Sequence, residues 1–159
     1  MAEVKQVLLI LGSKSDLEVC GEATKVLDKL GITYEVLISS AHRTPDRTAE
    51  IAKNMETNGI KVAICMAGYA AHLPGVVAAY TNIPVIGVPL SGSPLNGMDA
   101  LLAQQMPGGI PVACMTIGTA GAINAAVFAG RIIALSDPKV KANLEKYVAD
   151  MRAKALGQV

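Results

Sequence analysis

The stretch VLLILGSKSDLEVCGEATKVLDKLG, residues 7–31, contains a strand, a loop and a helix in succession. Its first residues are apolar and include Val and Ile, which is typical of a strand buried in a sheet. The next five residues, GSKSD (12–16), are small and polar, and Ser15 and Asp16 are good residues for the start of a helix. The helical segment that follows ends at Gly31, a residue type common just beyond helix ends.

The rest of the chain repeats this alternation. Further apolar runs predict strands at 33–38, 61–66, 83–88 and 111–116. A second helix is predicted from Pro45 to near Gly59, and the last helix from Pro138 to about Leu156. Because strands and helices alternate without hairpin signals, we predict a single domain over 1–159. Its fold class is a flavodoxin-like three-layer α/β/α sandwich with a central parallel sheet.

The composition limits which partners are expected. Of the 159 residues, 52% are hydrophobic and 17% are charged, against about 25% charged residues in an average soluble domain. So few charges predict a homo-oligomer whose interfaces cover part of the surface, although a compact apolar monomer is the alternative. The net charge is +1 and Lys and Arg form no cluster, so a nucleic-acid partner is not expected.

Targeting and metal-binding signals are not evident in the sequence. The N-terminal apolar run is too short for a signal peptide, and no apolar stretch of about 18 residues predicts a membrane span, so we expect a cytoplasmic protein without a membrane partner. Cys20, Cys65 and Cys114 are widely spaced, which favours reduced cysteines over disulfides. With two histidines and no CxxC motif, no metal site is expected.

Two helical segments support the prediction of an oligomer. Segment 119–135 is apolar almost all round, with Arg131 as its only charge, so a lone domain can hardly bury it. The last helix has an apolar stripe at three- and four-residue spacing that includes Val140, Leu144 and Tyr147. This stripe packs either on its own domain or on a neighbouring subunit, and the pattern does not choose between them.

The loops at the carboxyl ends of the strands are the expected ligand site, because parallel sheets of this class bind ligands there. These loops are GSKSD (12–16), SSAHRTP (39–45), AGYAAHLPG (67–75), PLSGSPLNGMD (89–99) and IGTAGAIN (117–124). If the strand order is 2-1-3-4-5, one of the usual orders in such sheets, the first three strands lie side by side. With that order, the two histidines of the chain, His42 and His72, converge on one cleft.

The GSKSD loop has features of a phosphate-binding loop. Gly12 lets a ligand approach the backbone, and Ser13 and Ser15 offer hydroxyls at a helix N-terminus that favours anions. Asp16 is better suited to accept hydrogen bonds from ribose hydroxyls, since a carboxylate repels phosphate. The alternative is a simple helix cap made by Ser15 or Asp16. The loop matches neither the Walker A nor the GxGxxG pattern.

The SAHRTP loop places a proton carrier next to a cation. Arg43 has the geometry to bind phosphate through two hydrogen bonds, and His42 to transfer protons near neutral pH. The alternatives are a solvated surface charge for Arg43 and a loop histidine bonded to the backbone for His42. His72 is expected at the start of a helix, where capping or packing is as well supported as a role in the site.

Six motifs in order carry a resemblance to a known family. They are GSKSD, SAHRTP, AAHLPG, PVIGVP, QMP followed by GIPV, and IGTAGAINAA. Over about 4–135 the chain resembles the class I enzymes of the phosphoribosylaminoimidazole carboxylase family. These are isomerases of de novo purine biosynthesis that convert N5-carboxyaminoimidazole ribonucleotide to 4-carboxyaminoimidazole ribonucleotide through enclosed carbon dioxide.

The resemblance implies roles for individual residues and an assembly. His42 would be the catalytic general acid and base, and no metal or other cofactor would be needed. The implied substrate-binding residues are Ser13, Ser15, Asp16, Ser40, Ala41, Arg43, Gly68, His72 and Ser91. Of these, His72 would shape the pocket for carbon dioxide. The family resemblance also implies a homo-octamer in which the C-terminal helix, about 138–156, reaches a neighbouring subunit.

The chain departs from the family pattern at Met66 and Tyr69, which stand where the family commonly has glycines. A ring at position 69 could narrow the pocket or change its substrate preference. Two other functions therefore stay open: direct carboxylation of aminoimidazole ribonucleotide by free carbon dioxide, and binding of flavin mononucleotide by a non-enzymatic module. The histidine of AAHLPG favours the mutase over the carboxylase. A phospho-receiver is disfavoured because no aspartate ends the third strand.

Overall fold

The computed structural model of the chain describes residues 4–158. The strands of its sheet are β1 (Val7–Leu11), β2 (Tyr34–Ile38), β3 (Val62–Ala67), β4 (Val85–Pro89) and β5 (Ala113–Cys114). All neighbouring strands are parallel, as predicted, and their order is β2-β1-β3-β4-β5, the order on which the convergence of the two histidines depends. The helices are α1 (Leu17–Leu30), α2 (Pro45–Asn54), α3 (Leu73–Tyr80), α4 (Met98–Leu102), α5 (Thr119–Ile133) and α6 (Pro138–Ala155).

The helices cover both faces of the sheet, which confirms the predicted flavodoxin-like three-layer α/β/α sandwich. Side chains of α1, α5 and α6 pack with Leu9 and Ile64 on one face. Side chains of α2, α3 and α4 pack with Ile10 and Cys65 on the other. Because alternate strand residues point to opposite faces, β1, β3 and β4 are buried along their whole length. Their continuous apolar runs follow from this double coverage.

Most element boundaries differ from the predicted ones by one or two residues, and three differences are larger. α2 begins at Pro45 as predicted but ends at Asn54, and Gly59 lies in the following turn with a φ of 79°. α4 was not predicted, and β5 has only two residues. α1 ends as predicted, since Gly31 adopts a left-handed φ of 69°.

α5 and α6 bury more of their apolar side chains against their own domain than their sequence pattern led us to expect. The small residues of α5 are buried against the sheet and α1, including Ala122, Ala126 and Gly130. Val140 of α6 is buried as well. The expectation that a lone domain can hardly cover α5 was therefore too strong, because Gly and Ala allow neighbouring elements to approach it closely. No helix within 4–158 has the length and hydropathy needed to cross a membrane.

Candidate active site

A cleft of about 730 Å³ opens at the carboxyl ends of β1, β2, β3 and β4. Every site residue named from the sequence lines this cleft except Ser91. Ser91 is exposed and lies between Leu90 and Gly92, which do line it. The cleft also brings both histidines of the chain together, as expected from the strand order. The nine sequence-derived residues at the cleft are Ser13, Ser15, Asp16, Ser40, Ala41, His42, Arg43, Gly68 and His72.

The GSKSD loop is held by a reciprocal set of hydrogen bonds. It forms a short 3-10 turn over Lys14–Asp16, and Ser13 is its N-cap residue. The Ser13 N–H donates to Asp16 Oδ2 at 2.9 Å, and the Ser15 N–H donates to Ser13 Oγ at 3.4 Å. This is a capping box of the 3-10 turn, made by Ser13 and Asp16. The same bonds hold the polar groups of the loop in place at the cleft. Asp16 is also the N-cap residue of α1, but its side chain makes no capping hydrogen bond to that helix, so the predicted helix cap by Ser15 or Asp16 is not formed.

Burial changes the acidity of Asp16. Desolvation of this half-buried carboxyl raises its pKa above the ordinary value of 3.8, although hydrogen bonds from Ser15 and Ser13 and the charge of Arg43 act in the opposite direction. Since the pKa is higher in the folded chain, this group stabilises the fold at low pH, and the contribution is lost as the pH rises through the folded pKa. A ligand hydroxyl that donates to the ionised carboxylate offsets part of that cost.

Gly12 leaves space in the cleft beside Asp16. A Cβ atom built on Gly12 would lie 3.7 Å from Asp16 Oδ2, Ala67 Cβ and the Met66 carbonyl, which are ordinary contacts. The fold therefore does not require glycine here. A larger side chain would instead reduce the space next to the phosphate-type loop.

Arg43 connects the loops that follow β1 and β2. Its Nη2 donates to the Gly12 carbonyl at 3.1 Å, and its backbone N–H donates to Ser40 Oγ at 3.2 Å. On the other side of Arg43 lies a second depression of about 500 Å³, which Lys14 and Arg47 also line. Lys14 and Arg47 were missed from the sequence. Arg47 lies in the first turn of α2, two residues after the end of the SAHRTP loop, and this position was the available signal.

The two histidines are in direct contact. His42 Nε2 lies 2.9 Å from His72 Nδ1, and the rings meet edge to face with their centroids 5.0 Å apart. Both side chains are exposed to the cleft, and His72 is the N-cap residue of α3, where its side chain makes no capping hydrogen bond. The capping interpretation of the His72 side chain is therefore wrong. The contact leaves Nδ1 of His42 and Nε2 of His72 available to other partners.

The loop after β3 contains the residues that depart from the family pattern. Tyr69 lines the cleft and adopts a left-handed φ of 54°, which is rare for a residue with a bulky side chain. Met66 is fully buried in β3, where it lies opposite Leu11 and Val88. Of the two departures, only Tyr69 therefore lines the cleft.

The sheet order and the position of the cleft define a flavodoxin-like domain with its site at the carboxyl edge of the sheet. The profile of the family described as AIR carboxylase matches residues 6–154. The chain belongs to this family.

Individual relatives agree with this assignment. The chain is 49% identical to the N5-carboxyaminoimidazole ribonucleotide mutase of Pyrococcus horikoshii, over 96% of this chain and 86% of the relative. It is 48% identical to the protein of the same name from Thermotoga maritima, over 95% of this chain and 88% of the relative. The crystal structure of Treponema denticola PurE superposes with a TM-score of 0.86 at 27% identity and covers 96% of this chain and 95% of that chain.

Proposed function

We propose that this protein is an isomerase of de novo purine biosynthesis that converts N5-carboxyaminoimidazole ribonucleotide to 4-carboxyaminoimidazole ribonucleotide. The observation that carries the proposal is the pair of histidines beside a phosphate-type loop, in a chain about half identical to relatives named as this mutase. The family match over 6–154 supports it further.

The order of the strands determines which end of the cleft binds the phosphate of the substrate and which end binds its imidazole. The phosphate lies at the loops after β1 and β2, where Ser13, Ser15 and Arg43 donate hydrogen bonds to it. Asp16 accepts from the ribose hydroxyls. The imidazole then extends toward the loop after β3, where His42, His72 and Gly68 line the cleft. Small residues in that loop leave room for carbon dioxide close to the reacting carbon.

The contact between the histidines suggests how one imidazole performs both proton transfers. When His42 Nε2–H donates to His72 Nδ1, the other nitrogen of His42 can give a proton to the exocyclic nitrogen as its bond to carbon dioxide breaks. Carbon 4 of the imidazole then forms a bond to carbon dioxide, and the same nitrogen of His42 removes the proton from carbon 4. The carboxyl group is transferred without net gain or loss of protons, and His42 returns to its first state.

The test follows the carboxyl carbon. Substrate labelled in its carbamate is converted in the presence of excess unlabelled bicarbonate, and the label in the product is measured by mass spectrometry. We expect most of the label in the product, because carbon dioxide is released and captured within one cleft. Complete exchange with the solution pool, or a requirement for added bicarbonate, would show direct carboxylation instead. A control without enzyme measures the label lost through spontaneous decarboxylation.

Replacement of Arg43 by Ala is expected to weaken binding of aminoimidazole ribonucleotide by about 10- to 150-fold, since a charge-assisted hydrogen bond contributes about 1.5–3 kcal/mol. Isothermal titration calorimetry measures the change. Arg43→Lys is expected to restore only part of the affinity, because an ammonium group cannot form two parallel hydrogen bonds to phosphate. Arg131→Ala on α5, away from the cleft, is the matched control. Equal affinities for the wild type and Arg43→Ala would identify Arg43 as a surface charge.

We also infer that the protein forms a homo-octamer with contacts through its C-terminal helix. Large apolar side chains are exposed on the single chain, among them Phe128 on α5, Leu135 after it, and Met151 and Leu156 at the end of the chain. Association of copies would cover them. Light scattering tests the assembly, and a monomeric mass would contradict it.

The three free cysteines fit a reducing compartment, and we therefore infer a cytoplasmic location.

A further inference from the structure

Tyr69 combines backbone strain with exposure at the cleft. Its φ of 54° lies in the left-handed region, where glycine is the favoured residue. It is 61% exposed in the single chain although its ring is largely apolar. Within residues 4–158 its hydroxyl has no hydrogen-bond partner. A bulky residue that is strained, exposed and unbonded at this position contributes little to the fold, which points to a ligand contact.

The position of Tyr69 assigns it to one end of the ligand. It lies on the loop after β3, next to Gly68 and three residues before His72. The phosphate-type loop and Arg43 follow β1 and β2. Because β1 lies between β2 and β3, a ribonucleotide with its phosphate at Arg43 presents its planar base, and not its phosphate, to the loop that carries Tyr69.

We infer that the ring of Tyr69 stacks on the imidazole of the bound ribonucleotide and selects ligands that carry a planar base. This inference rests on the proposed function and adds a specificity contact that the glycine of the family pattern cannot make. Aromatic rings stack on planar bases through their faces, and no hydroxyl group is needed for such a contact. The phenol oxygen is therefore dispensable, whereas the ring is not.

The experiment compares the binding of two ligands to the wild type and to two variants of Tyr69. Calorimetry with aminoimidazole ribonucleotide and with ribose 5-phosphate, which lacks the base, is carried out on the wild type, Tyr69→Gly and Tyr69→Phe. We expect Tyr69→Gly to bind the ribonucleotide about tenfold more weakly or worse, as is typical for loss of a stacking ring. Its affinity for ribose 5-phosphate should not change. Tyr69→Phe should bind both ligands as the wild type does.

Two further measurements separate a ligand contact from a structural role. The chain has no tryptophan and four tyrosines, so its intrinsic fluorescence reports tyrosine alone. We expect the ribonucleotide to quench the tyrosine fluorescence of the wild type and to quench that of Tyr69→Phe less.

The second measurement is the melting temperature. Tyr69→Gly should have a higher melting temperature than the wild type, because glycine adopts a positive φ without strain. Asn96→Gly is the matched control, since Asn96 has a φ of 51° and does not line the cleft, and it should raise the melting temperature without changing either affinity.

The outcomes distinguish this inference from the proposed function. If the wild type binds the ribonucleotide and Tyr69→Gly binds it equally well, or loses affinity equally for both ligands, the stacking contact is rejected while the proposed function stands. A change in assembly mass with unchanged affinities would identify Tyr69 as a subunit contact and also reject it. A wild type that binds no ribonucleotide would reject the proposed function and this inference together.

Discussion

Replacement of His42 by Asn is expected to reduce turnover of N5-carboxyaminoimidazole ribonucleotide by at least about 100-fold, because general acid–base groups contribute factors of this size or more. His42 has the position required of the proton carrier, since it lines the cleft and its Nε2 contacts His72 Nδ1 at 2.9 Å. An amide side chain cannot take up and release protons near neutral pH. The change in ultraviolet absorbance as the substrate is consumed measures the rate.

A second variant separates the loss of the proton carrier from the loss of the contact with His72. His42→Gln places an amide nearer to the former Nε2 position than Asn does, but it cannot exchange protons. We expect both variants to be equally inactive and to keep the melting temperature of the wild type, because the His42 side chain is exposed and contributes little to the core. Activity above about a hundredth of the wild type in either variant would exclude His42 as the proton carrier.

Removal of the chain after Ser136 is expected to leave a protein that is insoluble or has lost most of its stability. α6 contributes the buried Val140 to the core, with Leu144 and Tyr147 packed against it. Its Asn143 side chain donates to the carbonyl of Leu30 at the end of α1 at 3.0 Å. The loss of one buried and two partly buried apolar side chains, at up to about 1.5–3 kcal/mol each, is comparable to the total stability of a domain, about 5–15 kcal/mol. Urea unfolding of the soluble fraction measures the remaining free energy of unfolding.

A shorter truncation is the matched control. Removal of the chain after Arg152 deletes residues that are mostly exposed, so we expect little change in the free energy of unfolding. If the octamer uses the end of α6, this control should lower the mass of the assembly while the domain remains folded. Full stability after the cut at Ser136 would show that the packing of α6 on α1 and α5 contributes little.

The sequence predicted the parallel sheet between two layers of helices because this architecture depends on strong local patterns. The apolar runs of β1, β3 and β4 require burial on both faces, and alternation with helices leaves few parallel arrangements. α4 was missed because its five residues, Met98–Leu102, are too few to show a helical period. The end of α2 was misplaced because Gly59 was taken as its end, whereas the helix stops five residues earlier and turns continue to it.

Individual contacts in the candidate site were less predictable. That His42 and His72 share a cleft follows from the strand order, but their hydrogen bond depends on how two loops fold over the end of β1. Tyrosine itself gives no signal for the left-handed backbone at position 69, since it rarely adopts that conformation, and the glycine of the family pattern at this position was the sign that was available. Ser91 does not line the cleft although its neighbours Leu90 and Gly92 do, because a sequence motif locates a loop but not the direction of each of its side chains.

The two-residue length of β5 affects how copies of the chain can associate. An edge strand with many free backbone groups allows another chain to extend the sheet, and very short edge strands prevent this. At the β5 edge, Ala113 and Cys114 offer too little backbone for such pairing. Self-association on that side must therefore use side-chain contacts, which single substitutions can weaken. The fold thereby protects this edge of a highly apolar sheet from growth into fibrous aggregates.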